Sequence, residues 1–63
     1  MPVISIDVAP ISPEKKEELI RSCTRIASEI LDIPQQSFTV LIKEYPRDAI
    51  GVGGNPLSQM GKI

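Results

Sequence analysis

The apolar and polar residues of this chain change period along its length. Val3 to Val8 reads Val-Ile-Ser-Ile-Asp-Val, with Ile4, Ile6 and Val8 on one face and Val3, Ser5 and Asp7 on the other. Period two with β-branched residues predicts a half-buried strand, which Pro10 stops because proline donates nothing to a ladder. Ser12-Pro13-Glu14 then has the form of a helix start: a capping hydroxyl, a proline suited to the first turn, and an acid that complements the helix dipole. Leu19, Ile20, Cys23, Ile26, Ala27, Ile30 and Leu31 follow in steps of one and three, one stripe of an amphipathic helix predicted over about Glu14 to Leu31. Glu17 with Arg21 and Arg25 with Glu29 have the i,i+4 spacing of surface ion pairs. Pro34 prevents the helix from continuing. Phe38 to Glu44 predicts a second strand, with the Val-Leu-Ile run at its middle buried on both faces. Pro46 ends it.

Strand, helix and strand in this order predict a βαβ unit with parallel strands and a right-handed crossover. The tail, Ile50-Gly-Val-Gly-Gly-Asn-Pro-Leu57, predicts a loop or short hairpin whose glycines take positive φ. The expected fold class is α+β, a βαβ subunit with a parallel two-stranded sheet, one crossover helix and a short C-terminal hairpin. Residues 1–63 form one domain in this reading, with no repeat, linker or low-complexity segment. One helix covers only one face of such a sheet. The other face and both edges are then expected to pair with further copies of the chain.

Composition sharpens that expectation. Sixty-three residues bury too little surface for comfortable stability, and small folds usually lean on disulfides, a metal or oligomerisation. With one cysteine, Cys23, and no histidine, neither an internal disulfide nor a metal site is expected, so oligomerisation remains. Cys23 lies on the apolar stripe, where it reads as a small core residue. Seven basic against eight acidic residues, with only Phe38 and Tyr45 as aromatics, argue against nucleic-acid binding. No apolar run approaches a membrane span, and no basic-then-apolar leader opens the chain. The expected setting is cytoplasmic, with Cys23 reduced.

Without histidine, no Ser-His or Cys-His nucleophile can form. Gly51, Gly53 and Gly54 lack the Lys-Ser/Thr of a phosphate loop and read as a turn. Pro2 stands out. Removal of Met1 would make it an N-terminal secondary amine. Such groups titrate near neutrality, and burial lowers the pKa further toward the range of a good general base. On residue types alone, the reading that wins is that Pro2 merely starts a strand. If Met1 is retained, its nitrogen is an amide and no base.

The chain as a whole resembles the 4-oxalocrotonate tautomerase family. The resemblance rests on Met1-Pro2 before a β-branched strand and on Pro13-Glu-Lys-Lys-Glu-Glu-Leu-Ile-Arg21. It continues through Leu31-Asp-Ile-Pro34, the Val-Leu-Ile strand ending at Glu44, and Gly51-Val-Gly-Gly54. It implies subunits joined into four-stranded dimer layers, commonly three dimers to a homo-hexamer, with no cofactor and no metal. It also implies an amino-terminal proline, here Pro2, that moves a proton between enol and keto forms. The implied substrate is a small 2-oxo or 2-hydroxy-dienoate-like acid.

The family's well-known members carry an arginine in the loop after the first strand, which here reads Ala9-Pro10-Ile11-Ser12. They carry another where this chain has Thr39, and an aromatic where it has Ile50. Those arginines clamp a dicarboxylate, which neither Thr39 nor Ile50 can do. Thr39 and Ile50 are therefore candidate substrate-binding positions of altered chemistry. Arg47, with Lys43, is the nearest spare cation, and it reads either as a substrate contact or as a solvated loop residue. The expectation is a more basic Pro2 acting on a smaller or less charged enol. Alternatives are hydratase or lyase chemistry through the same proline, or a non-catalytic oligomer that keeps the fold.

Overall fold

A computed structural model describes residues 1–59. Strand β1 spans Val3–Val8, helix α1 spans Pro13–Leu31 and strand β2 spans Thr39–Glu44. A hairpin of β3, Gly51–Val52, and β4, Asn55–Pro56, closes the described chain, with short 3-10 turns at Gln35–Ser37, Arg47–Ala49 and Leu57–Gln59. The α+β reading is therefore correct in element order, and each predicted boundary lies within one residue of the observed one.

The helix starts where its capping chemistry directs. Ser12 is extended, and its hydroxyl oxygen accepts the Lys15 N–H at 3.2 Å; Pro13 takes the first helical position. At the other end Asp32 adopts φ 57° and its N–H closes on the Ser28 carbonyl. The Ser28 hydroxyl donates to the Ile33 carbonyl at 2.6 Å and draws the chain away before Pro34. The Glu17–Arg21 and Arg25–Glu29 pairs both form on the exposed surface of the helix. Ser12→Ala should lower the unfolding free energy by about 1 kcal/mol, the usual worth of a capping hydroxyl, as read from urea denaturation.

β1 and β2 pair in parallel, with Val3 opposite Thr39 and Val8 opposite Glu44. Ile4, Ile6, Val8, Val40 and Ile42 are half-buried, the face that α1 covers. The opposite face carries Val3, Ser5, Asp7, Leu41 and Lys43, all exposed. Burial of the Val-Leu-Ile run on both faces does not hold within one chain, because Leu41 is 55% exposed. Likewise α1 turns Leu19, Cys23 and Ala27 inward but leaves Ile20, Ile26, Ile30 and Leu31 exposed. Its apolar stripe is wider than a two-stranded sheet can cover.

Among the described residues only Leu57 is buried outright. The Cα radius of gyration is 14.7 Å, whereas a compact chain of this length would have about 11 Å. The molecule measures 43 × 22 × 14 Å, an elongated slab with apolar residues on both broad sides.

The tail is the tight hairpin that its glycines predict. Gly53 and Gly54 have φ of 60° and 85°, the left-handed pair required at the centre of a two-residue turn. Among the described residues no helix is long and apolar enough to cross a membrane.

Candidate active site

The positions singled out in the sequence fall at two ends of one sheet. Pro2 lies immediately before β1, half-buried, and its carbonyl accepts the Thr39 N–H at 3.1 Å. That bond continues the parallel ladder by one rung and fixes the proline at the start of a rigid element. Met1 projects from it with 95% of its surface exposed. Pro2 and Thr39 are thus neighbours, as their register demands.

Arg47 and Ile50 stand at the other end. Tyr45 N–H donates to the Val8 carbonyl at 3.0 Å and finishes the ladder. The chain then turns through Arg47–Ala49 into the hairpin. Leu57 N–H donates to the Ile50 carbonyl at 2.7 Å, and Arg47 Nη2 donates to the Leu57 carbonyl at 3.2 Å. Arg47 is therefore half-buried and braces the hairpin, a different role from that of a solvated loop residue. A six-residue strand separates this end from Pro2 by about 20 Å. A single chain does not bring Arg47 or Ile50 to Pro2.

Around the hairpin end lies an open cavity of about 570 Å³. Val8, Ala9, Ala49, Ile50, Val52 and Leu57 form its apolar walls, and Asp7 and Tyr45 are its polar lining. Tyr45 Oη donates to Asp7 Oδ1 at 3.3 Å. Sequence reasoning missed this pair. Asp7 is a polar residue on an alternating strand and Tyr45 follows the second strand, and only the parallel register joins residues 38 apart. No cation among the described residues lines the cavity.

The loop between β1 and α1 is tied down from the end of β2. Glu44 Oε2 accepts the Ile11 N–H at 3.0 Å and Glu44 Oε1 accepts Lys16 Nζ at 2.8 Å. The Lys16 hydrogen bond, followed by the Ile11 amide, holds the Glu44 carboxyl below its ordinary range. A carboxyl whose pKa is depressed on folding stabilises the protein above its unfolded pKa, and that contribution is lost as pH falls through the folded value. Thermal melts from about pH 6 down to pH 3 should show a decline that Glu44→Gln flattens, because the amide has no charge to lose.

Comparison with known proteins agrees with the fold. A family model described as Tautomerase enzyme matches residues 2–60. A 2-hydroxymuconate tautomerase of Pseudomonas putida is 39% identical over 51 residues, 81% of each chain. Another, from Stutzerimonas stutzeri, is 36% identical over 63 residues, covering 98% of this chain and 100% of that one. Among solved structures, a 4-oxalocrotonate tautomerase homologue superposes with a TM-score of 0.87 at 35% identity, over 94% of this chain and 95% of that one. A chain of the heterohexamer 4-oxalocrotonate tautomerase from Chloroflexus aurantiacus superposes with a TM-score of 0.83 at 25% identity, over 95% and 97% of the two chains. With nearly its whole length matched, from Pro2 through the hairpin, the chain belongs to the tautomerase family of enzymes.

Proposed function

We propose that this protein interconverts the enol and keto forms of a small 2-oxo or 2-hydroxy-dienoate-like acid, with Pro2 as the general base and no cofactor. The observation that carries the reading is the setting of Pro2. Its carbonyl is anchored to Thr39 while Met1 stands out in solvent, open to removal. Removal of Met1 turns the tertiary amide at Pro2 into a secondary amine with a free lone pair. That lone pair takes the enol hydroxyl proton. The O–H electrons become the carbonyl π bond, and the displaced C=C pair takes a proton back at carbon from the protonated Pro2. The product is an isomer of the substrate, and the base is regenerated.

The separated ends of the sheet favour an oligomer as the working form. A twofold dimer joined along β1 runs antiparallel, and with both helices on one side, helix-facing residues oppose helix-facing residues. Centring the pairing on Ser5 sets Pro2 opposite the partner's Val8, at the wall of the apolar cavity. The site then comprises Pro2 and Thr39 of one copy with the cavity of another, including the partner's Ile50. Arg47 supports that wall through the hairpin. A hexamer made of three dimers would also cover the outer sheet face. The heterohexamer of the Chloroflexus relative is in keeping with this, and the cell compartment proposed is the cytoplasm.

Intact mass of protein purified from its own source, together with a phenylenolpyruvate ketonisation assay, tests the reading. Loss of Met1 and turnover of the enol are expected. A retained Met1 would make Pro2 an amide and overturn it.

A further inference from the structure

We infer that the cavity beside the hairpin selects an enol acid with one carboxylate and a neutral, apolar tail, and rejects dicarboxylates. The inference rests on the tautomerase reading above and names its substrate class. Six of the eight lining residues are apolar. The volume of about 570 Å³ lies within the range of small-molecule pockets and accommodates an aryl or branched alkyl group.

The polar lining has the wrong sign for a second carboxylate. Asp7 presents its own carboxylate there, oriented by the Tyr45 hydroxyl. A substrate carboxylate in this space would meet a like charge, an arrangement that disfavours it. Two of the nearby cations make contacts with other protein groups. Arg47 Nη2 donates to the Leu57 carbonyl behind the wall, and Lys16 is engaged by Glu44. Lys43 opposes Asp7 in the strand register but does not line the cavity. A neutral group that accepts or donates one hydrogen bond can still meet Tyr45, whereas a terminal anion meets no cation among the described residues that line the cavity.

The test compares kcat/KM for phenylenolpyruvate, an aryl monoanion, and 2-hydroxymuconate, a dicarboxylate, on the assembled enzyme. The ratio should favour the monoanion by about tenfold or more, and Asp7→Asn should shift it toward the dicarboxylate by about fivefold. Preference for the dicarboxylate, or a ratio that Asp7→Asn leaves unmoved, overturns the inference and leaves the tautomerase reading intact. Titration of the unmodified protein with 3-phenylpropionate and with adipate separates the two claims and needs no variant. Amide signals of Ala9 and Ile50 should move with the first ligand at lower concentration than with the second. Equal or stronger binding of adipate overturns the cavity assignment. Selective binding of 3-phenylpropionate without turnover of either enol upholds the cavity and overturns the tautomerase reading.

Discussion

Pro2→Ala should cut kcat for enol ketonisation by about two to four orders of magnitude, the usual worth of a positioned general base. The fold should survive the change. What Pro2 gives the sheet is a carbonyl that accepts the Thr39 N–H, and alanine keeps that carbonyl. Alanine does not keep the ring. The amine becomes primary, and the ring that fixes the direction of its lone pair is lost. Far-UV circular dichroism and sedimentation should match the parent, so that the loss belongs to chemistry and not to folding. Activity within about twofold of the parent, in a variant that has lost Met1 and keeps the parent's assembly, would remove Pro2 from the mechanism.

The second large effect should come from the outer face of the sheet. Leu41→Asp places a carboxylate at the centre of that face, opposite Ser5 in the register. Within one chain the substitution touches little, because Leu41 is 55% exposed. In an assembly that covers the face, it strands a charge in an apolar contact at a cost of several kcal/mol. Sedimentation should show a shift from oligomer to monomer. The helical signal should fall with it, since Leu57 is the single buried residue among those described. The melting temperature of the parent should rise with protein concentration, as mass action requires of a chain that is stable only when assembled. A Leu41→Asp protein that stays assembled and melts as the parent does would show that the face is solvent-covered in the working form.

Much of this molecule was legible residue by residue. Alternation marked β1, Ser12-Pro13 marked the start of α1, and the Gly53-Gly54 pair marked a turn with positive φ. These signals are local, because each depends on backbone preferences and side chains within one turn or one strand. The βαβ order followed from them, since a strand, a long helix and a strand leave few ways to connect. The ordered set of motifs from Met1-Pro2 to Gly54 was also enough to place the family.

What sequence spacing left open was which residues meet. Thr39, Arg47 and Ile50 were candidates beside Pro2, yet only Thr39 adjoins it. A right-handed crossover returns β2 parallel to β1, so both strands start at one end and the described residues after Glu44 lie at the other. The Glu44–Ile11 tie spans 33 residues and the Tyr45–Asp7 bond spans 38. No local pattern encodes such pairs; the strand register sets them. The same holds for Leu41, Ile30 and Leu31, apolar by type yet exposed in the single chain. Hydrophobic pattern shows that a residue will be covered, but the width of the sheet and the reach of one helix decide whether its own chain can cover it.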